Sequence, residues 1–424
     1  MFELYYLSKI VFTLFKCKFF NSKPTTNDLF VIKKNIVNSG PIYIKFIQWL
    51  IPFSKYYIDK KDYYIIEYFN DLYDDCPFHD LKYTNKIYKL HNNNNLEDDY
   101  DIIENIGSGS IGQTHLIKSK KDEKEYVIKI KHPPNNSILY INFICNIIKN
   151  FTSFPLDEIL YAFKLQLDFN IEGINMISFY NFYKDNNHII IPKLYKYSKD
   201  YIIMEYLKGK DKLSEKDKSI KTSLISLFMQ NNIRYLNICH GDLHPGNFAF
   251  KDNKLIVYDY GLCYLYINND FIYANDKMSY LYGTLSYDDR IKYLIMSIET
   301  LTNSKVNKKH YMNYINNSKY KYILDNDTIN PDSTHLWIDY IIKYKLKYTF
   351  TAFLYMINVS QLYDNYSLTN YKETNYNFRA MDMITICETF NIFKELKEEF
   401  SKKFIKSYKK DNHLENFDKF KKYI

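Results

Sequence analysis

The sequence reads as an α+β chain in three successive parts: a helical N-terminal extension, a small mixed sheet carrying one long helix, and a large, mainly helical remainder. Three observations predict this order. Residues 1–90 show aromatic-rich apolar periodicity with few turn signals, a helical pattern. From Tyr100 the pattern changes to short runs with β-branched residues, Asp101–Ile106, Thr114–Lys118 and Tyr126–Ile130. Beyond about residue 208 helical periodicity returns, except at Phe248–Phe250 and Leu255–Tyr258, which flank the turn Lys251–Lys254. The expected boundaries are 1–95, 96–207 and 208–424. Two lobes joined near Leu207 are then expected, and ligands favour the cleft between such lobes.

The connecting elements follow in order. Residues 91–99, HNNNNLEDD, are polar and low in complexity and predict a loop or linker. Residues 154–182 predict a long helix, and Tyr201–Tyr206 a short buried strand. Tyr348 to Val359 is the longest apolar run, too short and too interrupted to span a bilayer, and reads as a core helix. The first twenty residues are apolar but broken by Lys9, Lys16 and Lys18. Lys9, Thr13 and Lys16 share a helical face while Leu7, Ile10, Val11 and Leu14 lie elsewhere, which predicts an amphipathic helix packed on the domain, with a membrane surface as the second reading.

Composition bounds the function. With 46% hydrophobic and 25% charged residues the chain can bury a core, and global disorder is excluded. A net charge of +8 is mild over 424 residues, and the Lys are interleaved with Asp, Glu and Asn, which argues against a nucleic-acid partner and leaves a weak pull towards anionic lipid or phosphate. The excess of Tyr, Phe, Ile, Lys and Asn matches AT-rich codons and carries little functional weight. Cys17, Cys76, Cys145, Cys239, Cys263 and Cys387 form no CxxC pair, so reduced thiols, no disulfide-linked partner and an intracellular setting are expected.

Chemistry concentrates in three segments. In HGDLHPGN, residues 240–247, Asp242 and Asn247 are five apart. Phosphoryl transfer needs a carboxylate to orient the nucleophile and an amide oxygen for metal, and a catalytic loop of that chemistry uses this spacing. Asp259 follows in IVYDYG, at the end of a strand with Gly261 to turn the chain, and can hold a metal that bridges phosphates. Alone, Asp242 reads as a turn residue. Alternatively His240 and His244 could ligate metal with Asp242, but no further ligand has metal-site spacing. In IGSGSIGQTH, Gly107, Gly109 and Gly112 have GxGxxG spacing between two β-like runs. By itself that is a turn. The strand that follows disfavours a dinucleotide fold, which needs a helix there, and favours a loop covering ATP. Ser108, Ser110, Ile111 and Gln113 complete that candidate nucleotide loop. In VIKIKHP, Lys129 sits mid-strand and points opposite to Ile128 and Ile130. Aimed into a cleft it needs a phosphate and a carboxylate as counter-charges, and Glu172 in the long helix is the candidate carboxylate. The alternative is a solvent-facing Lys on an edge strand, with Lys131 on the same face.

Together GSGSIGQTH, VIKIKHP, LDFNIEGIN, MEYLKGK, HGDLHPGN and YDYG resemble, in order, the UbiB-type (aarF-domain, ADCK) atypical kinases over roughly residues 36–265. The resemblance implies a bilobal protein-kinase-like fold whose helical N-terminal extension folds over the active site. It implies ATP (or ADP) and Mg2+ as cofactors. It would place Lys129 on the α/β-phosphates with Glu172 orienting it, Glu205 to Leu207 as the hinge beside adenine, Asp242 as catalytic aspartate, and Asn247 and Asp259 on metal. The family's extension signature, Lys-x-Gly-Gln after Gly-Pro, reads GPIYIKFIQ here, so Lys45 and Gln48 match and Ile47 replaces glycine. The family's Glu-x-Asp reads Gln166-Leu-Asp168, with Asp168 and Glu172 expected one turn apart on a helical face. These two departures predict that the inhibitory seat of the extension is disturbed. Glycines 107, 109 and 112 stand where the family commonly has alanines, which predicts a relaxed nucleotide preference, tested by ADP against ATP affinity.

Three functions follow. The first is an ATP-dependent phosphotransferase or ATPase of UbiB type. The second is a nucleotide-binding switch with little turnover, acting on a lipid or protein partner at a membrane. The third is a small-molecule kinase, against which GPIYIKFIQ and the VIKIKHP context argue.

Overall fold

The computed structural model describes residues 23–54, 60–69, 78–133, 156–209, 236–252, 254–265, 285–318 and 333–347, with shorter pieces within 5–13, 139–146, 224–232, 270–274 and 349–355. Helix α1 (Thr26–Ser39) starts with a capping box, in which Thr25 Oγ1 accepts from the Asp28 N–H and the Asp28 carboxylate accepts from the Thr25 N–H. Gly40, at φ +112°, ends it, and Pro41 opens α2 (Pro41–Ser54) at the position where a missing N–H costs nothing. A short α3 (Tyr63–Glu67) follows, then α4 (Leu81–Asn92), capped by Asp80, whose carboxylate accepts from the Lys82 N–H.

The expected linker 91–99 is more ordered than its composition predicts. Asn93 takes the left-handed conformation that closes α4, and Asn95 with Asp98 caps a single turn, α5 (Leu96–Asp99). The asparagines supply helix ends, which low complexity alone does not reveal.

Strands β1 (Tyr100–Ser108), β2 (Gly112–Ser119) and β3 (Glu125–Lys131) come next. The long helix expected over 154–182 is two helices, α6 (Leu156–Gln166) and α7 (Phe169–Tyr183), because Asp168 leaves the helical path to cap α7 through the Asn170 N–H. After β4 (Ile189–Ile190) come β5 (Leu194–Tyr197) and β6 (Tyr201–Glu205). These form a five-stranded sheet, order β1-β2-β3-β6-β5, antiparallel throughout. Strand β3 is therefore central, and Lys129 lies between Thr114 on β2 and Ile202 on β6, which removes the edge-strand alternative.

The two faces of the sheet separate by the period of two. Ile128, Ile130, Tyr201 and Ile203 pack with Ile87 and Tyr88 of α4. Val127, Ile202 and Met204 pack on the other face with Phe169 and Met176 of α7. Helix α7 comes close enough to β5 that a Cβ on Gly173 would lie 2.5 Å from the Tyr197 ring.

The second lobe holds β7 (Ile238–His240), the hairpin β8 (Phe248–Lys251) and β9 (Lys254–Val257), and β10 (Cys263–Leu265). Strand β4 pairs parallel to β9, and β10 antiparallel to β7. Helices α8 (Tyr287–Thr302), α9 (Lys308–Asn316) and α10 (Ser333–Lys343) complete it. Their core is continuous with the extension: Leu29, Ile32, Ile36, Tyr43 and Ile44 share one cluster with Ile159 and Phe163 of α6, Ile291 and Ile298 of α8, Tyr311 and Ile341.

Ile10 packs against that cluster, in accord with a packed N-terminal helix, but Thr13, expected on the polar face, is buried and donates its hydroxyl to the Lys9 carbonyl. Lys9 is exposed, as expected of that face, and Leu7, Val11, Leu14 and Lys16 lie outside the described residues. Of the run Tyr348 to Val359, Ala352 and Leu354 are fully buried. Among the described residues no helix is long and apolar enough to cross a membrane.

Candidate active site

Lys129 leaves the cleft face of β3 and meets carboxylates from two other segments. Its Nζ donates to both oxygens of Glu172, one turn into α7, at 2.8 and 2.9 Å, and lies 3.1 Å from Asp259 Oδ2, just past β9. It also stands 5.2 Å from the Phe169 ring centroid. Burial alone would lower the Lys129 pKa, but Asp259 and Glu172 outweigh it and hold the ammonium charged. Burial pushes the Glu172 carboxyl up, to about 7, with Lys129 pulling the other way. Asp259 is pushed up by burial but pulled further down by Lys129 and then Lys45, so it stays ionised. Its side chain keeps 42% of its surface open, so it can reach a ligand in the cleft.

Asp259 sits at φ +53°, a strained backbone that aspartate tolerates better than most residues. The Gly261 N–H donates to Asp259 Oδ1 at 3.2 Å and helps hold the carboxylate. Gly261 must stay small: a Cβ there would lie 3.2 Å from that oxygen and 3.4 Å from Glu172 Oε2.

The loop of residues 240–247 is anchored beneath. The Gly241 N–H donates to the Leu262 carbonyl at 2.7 Å, and a Cβ on Gly241 would strike the Leu262 side chain at 2.8 Å. Asn247 Nδ2 donates to the Asp242 carbonyl at 2.8 Å, and the Tyr258 N–H donates to the Asn247 carbonyl at 2.8 Å. The hairpin β8–β9 thus brings Asn247 beside the segment that ends in Asp259. His240 Nε2–H donates to the Tyr258 carbonyl at 3.1 Å and its Nδ1 accepts from the Asp242 N–H at 3.2 Å. His244 Nδ1 accepts from the Gly246 N–H at 3.1 Å. Both rings brace the loop through backbone groups, and burial lowers both pKa values and keeps them neutral.

The Asp242 carboxylate is paired. Lys45 of α2 forms a buried ion pair with it, and His244 Nε2 stands 4.0 Å away. Burial would raise the Asp242 pKa, but the Lys45 ammonium outweighs it and holds it below the ordinary value. The extension is therefore seated in the cleft, which corrects the expectation drawn from Ile47 and Gln166. Ile47 packs against the shared core, so the added bulk finds an apolar place. Gln48 is buried on the same helix. Asp168 does not share a helical face with Glu172, because its carboxylate is used to cap α7.

The loop between β1 and β2 closes through the Gly109 N–H, which donates to the Gly112 carbonyl at 3.0 Å. Gly112 is sterically required, since a Cβ would lie 2.5 Å from the Ile130 carbonyl oxygen and 3.2 Å from the Phe169 ring. Gly107 and Gly109 have ordinary space, with nearest contacts of 3.7 and 3.6 Å. Ser108 and Ser110 are half-buried on the loop, and Ile111 packs against the cleft-face cluster. Gln113 is a correction: opposite Ile130, it points to the α4 face, away from the cleft. Its Oε1 accepts from the His79 N–H at 2.7 Å and its Nε2 lies 3.0 Å from His115 Nε2, so the side chain braces the lobe and does not reach the nucleotide side. In the segment expected as the hinge, the Glu205 carboxylate accepts from the Lys193 N–H at 3.1 Å, and the Leu207 carbonyl accepts from Tyr258 Oη at 2.7 Å.

Motif reading overlooked Tyr258 and His132. Tyr258 ties the hinge to the end of the hairpin. His132 donates from Nε2 to the Gly109 carbonyl at 2.9 Å, and its N–H donates to the Ile111 carbonyl at 2.8 Å. His132 holds the loop between β1 and β2 from behind, and its only signal was a place directly after the Lys129 strand.

A family model for the ABC1 atypical kinase-like domain matches residues 71–288, just over half of the chain. The probable serine/threonine-protein kinase abkC of Dictyostelium discoideum is 29% identical over 242 residues, 51% of this chain and 34% of that protein. The probable protein kinase UbiB of Blochmanniella pennsylvanica is 27% identical over 165 residues, 34% of this chain and 30% of its own length. The chain thus spans about a third of these relatives. The solved complex of Rv3197 with erythromycin from Mycobacterium tuberculosis aligns with 66% of this chain and 82% of its own, at 15% identity and a TM-score of 0.43.

Proposed function

This chain belongs to the ABC1 atypical kinase-like family, and from that premise we propose that it binds ATP with a divalent metal and transfers or hydrolyses the terminal phosphoryl group. The observation that supports this most is the meeting of Lys129, Glu172 and Asp259, from a strand, a helix and a post-strand turn, beside the Asp242–Asn247 loop. Lys129 pairs the phosphates, and Glu172 fixes its direction. The Asn247 amide oxygen and the Asp259 carboxylate are hard oxygen donors and suit Mg2+. When bound, the metal neutralises charge on the phosphates. The backbone of the loop at Gly107 to Gly112 covers the phosphates, and the segment Glu205 to Leu207 lies beside the base. Asp242 orients and accepts the proton of the acceptor hydroxyl or water. For the acceptor, the family resemblance points to a lipid- or quinone-pathway molecule.

The test is ATP turnover by the purified chain. Asp242→Asn is expected to lower it by roughly 10²–10⁴-fold, as when a positioned base is lost. Undiminished turnover in that variant would remove Asp242 from the chemistry.

The Lys45–Asp242 ion pair favours a second reading, a nucleotide-binding regulatory module with little turnover. Nucleotide affinity without measurable hydrolysis is its signature. A membrane-surface role for residues 1–20 belongs to this reading, and liposome co-sedimentation with and without them tests it.

A further inference from the structure

We propose that Gln166 reads the phosphate end of the nucleotide, its side-chain amide N–H donating to a phosphoryl oxygen. The inference deepens the function proposed above and rests on it. Gln166 is the last residue of α6 and is only 6% exposed. Its Nε2 is buried with no hydrogen-bond partner. Native proteins leave few buried donors unmet, and each calls for a physical reason.

The location supplies that reason. The Cβ position of Gly261 is 3.2 Å from Asp259 Oδ1, 3.4 Å from Glu172 Oε2 and 3.7 Å from Gln166 Cγ. Gln166 therefore shares a wall with the two carboxylates that hold Lys129. Their oxygens are already in use. Both oxygens of Glu172 and Oδ2 of Asp259 face Lys129, and Oδ1 of Asp259 accepts from the Gly261 N–H. An anion entering next to Lys129 brings the acceptor that the free protein does not offer. A carboxylate in place of the amide has no donor and adds a third negative charge to Glu172 and Asp259.

Calorimetric titration of the full chain with Mg-ATP and with adenosine tests this. Gln166→Met keeps the side-chain length and deletes the donor. Its Mg-ATP affinity is expected to fall about tenfold, the loss for a hydrogen bond to a charged group, with adenosine affinity unchanged. The melting temperature of the free protein should hold or rise, since an unmet donor has gone. Gln166→Glu should lose at least as much Mg-ATP affinity. A Gln166→Met protein that binds Mg-ATP as tightly as the unaltered chain overturns the inference. So does one that loses adenosine in equal proportion, because that is damage to the whole pocket. An unaltered chain that binds no Mg-ATP overturns the proposed function as well, which separates the two failures.

Discussion

Lys129 stabilises a site that is otherwise negative. Replacing it with Met leaves the buried Glu172 and the more open Asp259 together without their shared cation. Breaking a buried pair in this way costs about 3–5 kcal/mol, and urea unfolding should show a loss of that size, with nucleotide binding abolished. Acid should also weaken the protein. Asp242 and Asp259 titrate below the ordinary carboxylate range in the folded chain. The stability they contribute is present above the unfolded value of about 3.9 and is lost as the pH falls through their folded values. Melting temperatures between pH 7 and pH 3 should drop steeply at the acid end, and less steeply in Lys45→Met, which lacks the main partner of Asp242. Lys129, Asp242 and Asp259 were legible in the sequence because their signals are local, whereas Lys45 stood out only through the family resemblance. Strand alternation alone turns Lys129 away from Ile128 and Ile130, and the five-residue step from Asp242 to Asn247 needs no tertiary knowledge. The side chains of Gln113 and Gln166 were not legible in this way. Their roles depend on which sheet face the first occupies and on what surrounds the second, and neither is written in a nearby residue.

Two elements carry further consequences. The nucleotide loop contains one glycine that packing demands and two that it does not. Gly112→Ala forces a Cβ against the Ile130 carbonyl and should destabilise by about 1–3 kcal/mol, as overpacking does. Gly107→Ala and Gly109→Ala should fold with unchanged melting temperature, and their ADP and ATP affinities then report nucleotide preference alone. Behind the loop lies a histidine chain joining it to the start of α4. His132 must donate from Nε2 to the Gly109 carbonyl, so its Nδ1 accepts from His79 Nδ1–H at 2.9 Å, and His79 Nε2 accepts from Thr84 at 3.0 Å. In that pattern both rings are neutral, in keeping with the burial that lowers both pKa values. Burial, then His132 and His115, lower the His79 pKa from 6.5 to about 4, against a smaller pull from Asp80. The contribution is whole above the unfolded value and is lost as the pH falls from about 6.5 to about 4. His79→Phe should flatten the melting-temperature profile in that window. The break between α6 and α7 was hidden in the sequence because apolar periodicity runs through Leu167, and only the cap made by Asp168 stops it.

At the scale of the whole molecule the succession of helices, antiparallel sheet and further helices followed from periodicity, while the seat of the extension did not. Its helix α2 carries Lys45 to Asp242 although Ile47 stands where a glycine was expected. Lys45→Met is expected to raise ATP turnover by about tenfold, if the pair holds most of the population closed. A fall to the level of Asp242→Asn would instead make Lys45 part of the chemistry.

The shared core of α1, α2 and the second lobe bears on how such a pair can open. Leu29, Ile32, Ile36, Tyr43 and Ile44 are all buried in it. At about 1.5–3 kcal/mol each, their exposure would cost roughly as much as the 5–15 kcal/mol that holds an entire domain folded. The extension is thus masonry, and no hinged door. Traffic past Lys45 has to proceed by swinging one long side chain aside while the wall stands. Cutting the wall away should yield an insoluble remnant in place of an unleashed enzyme.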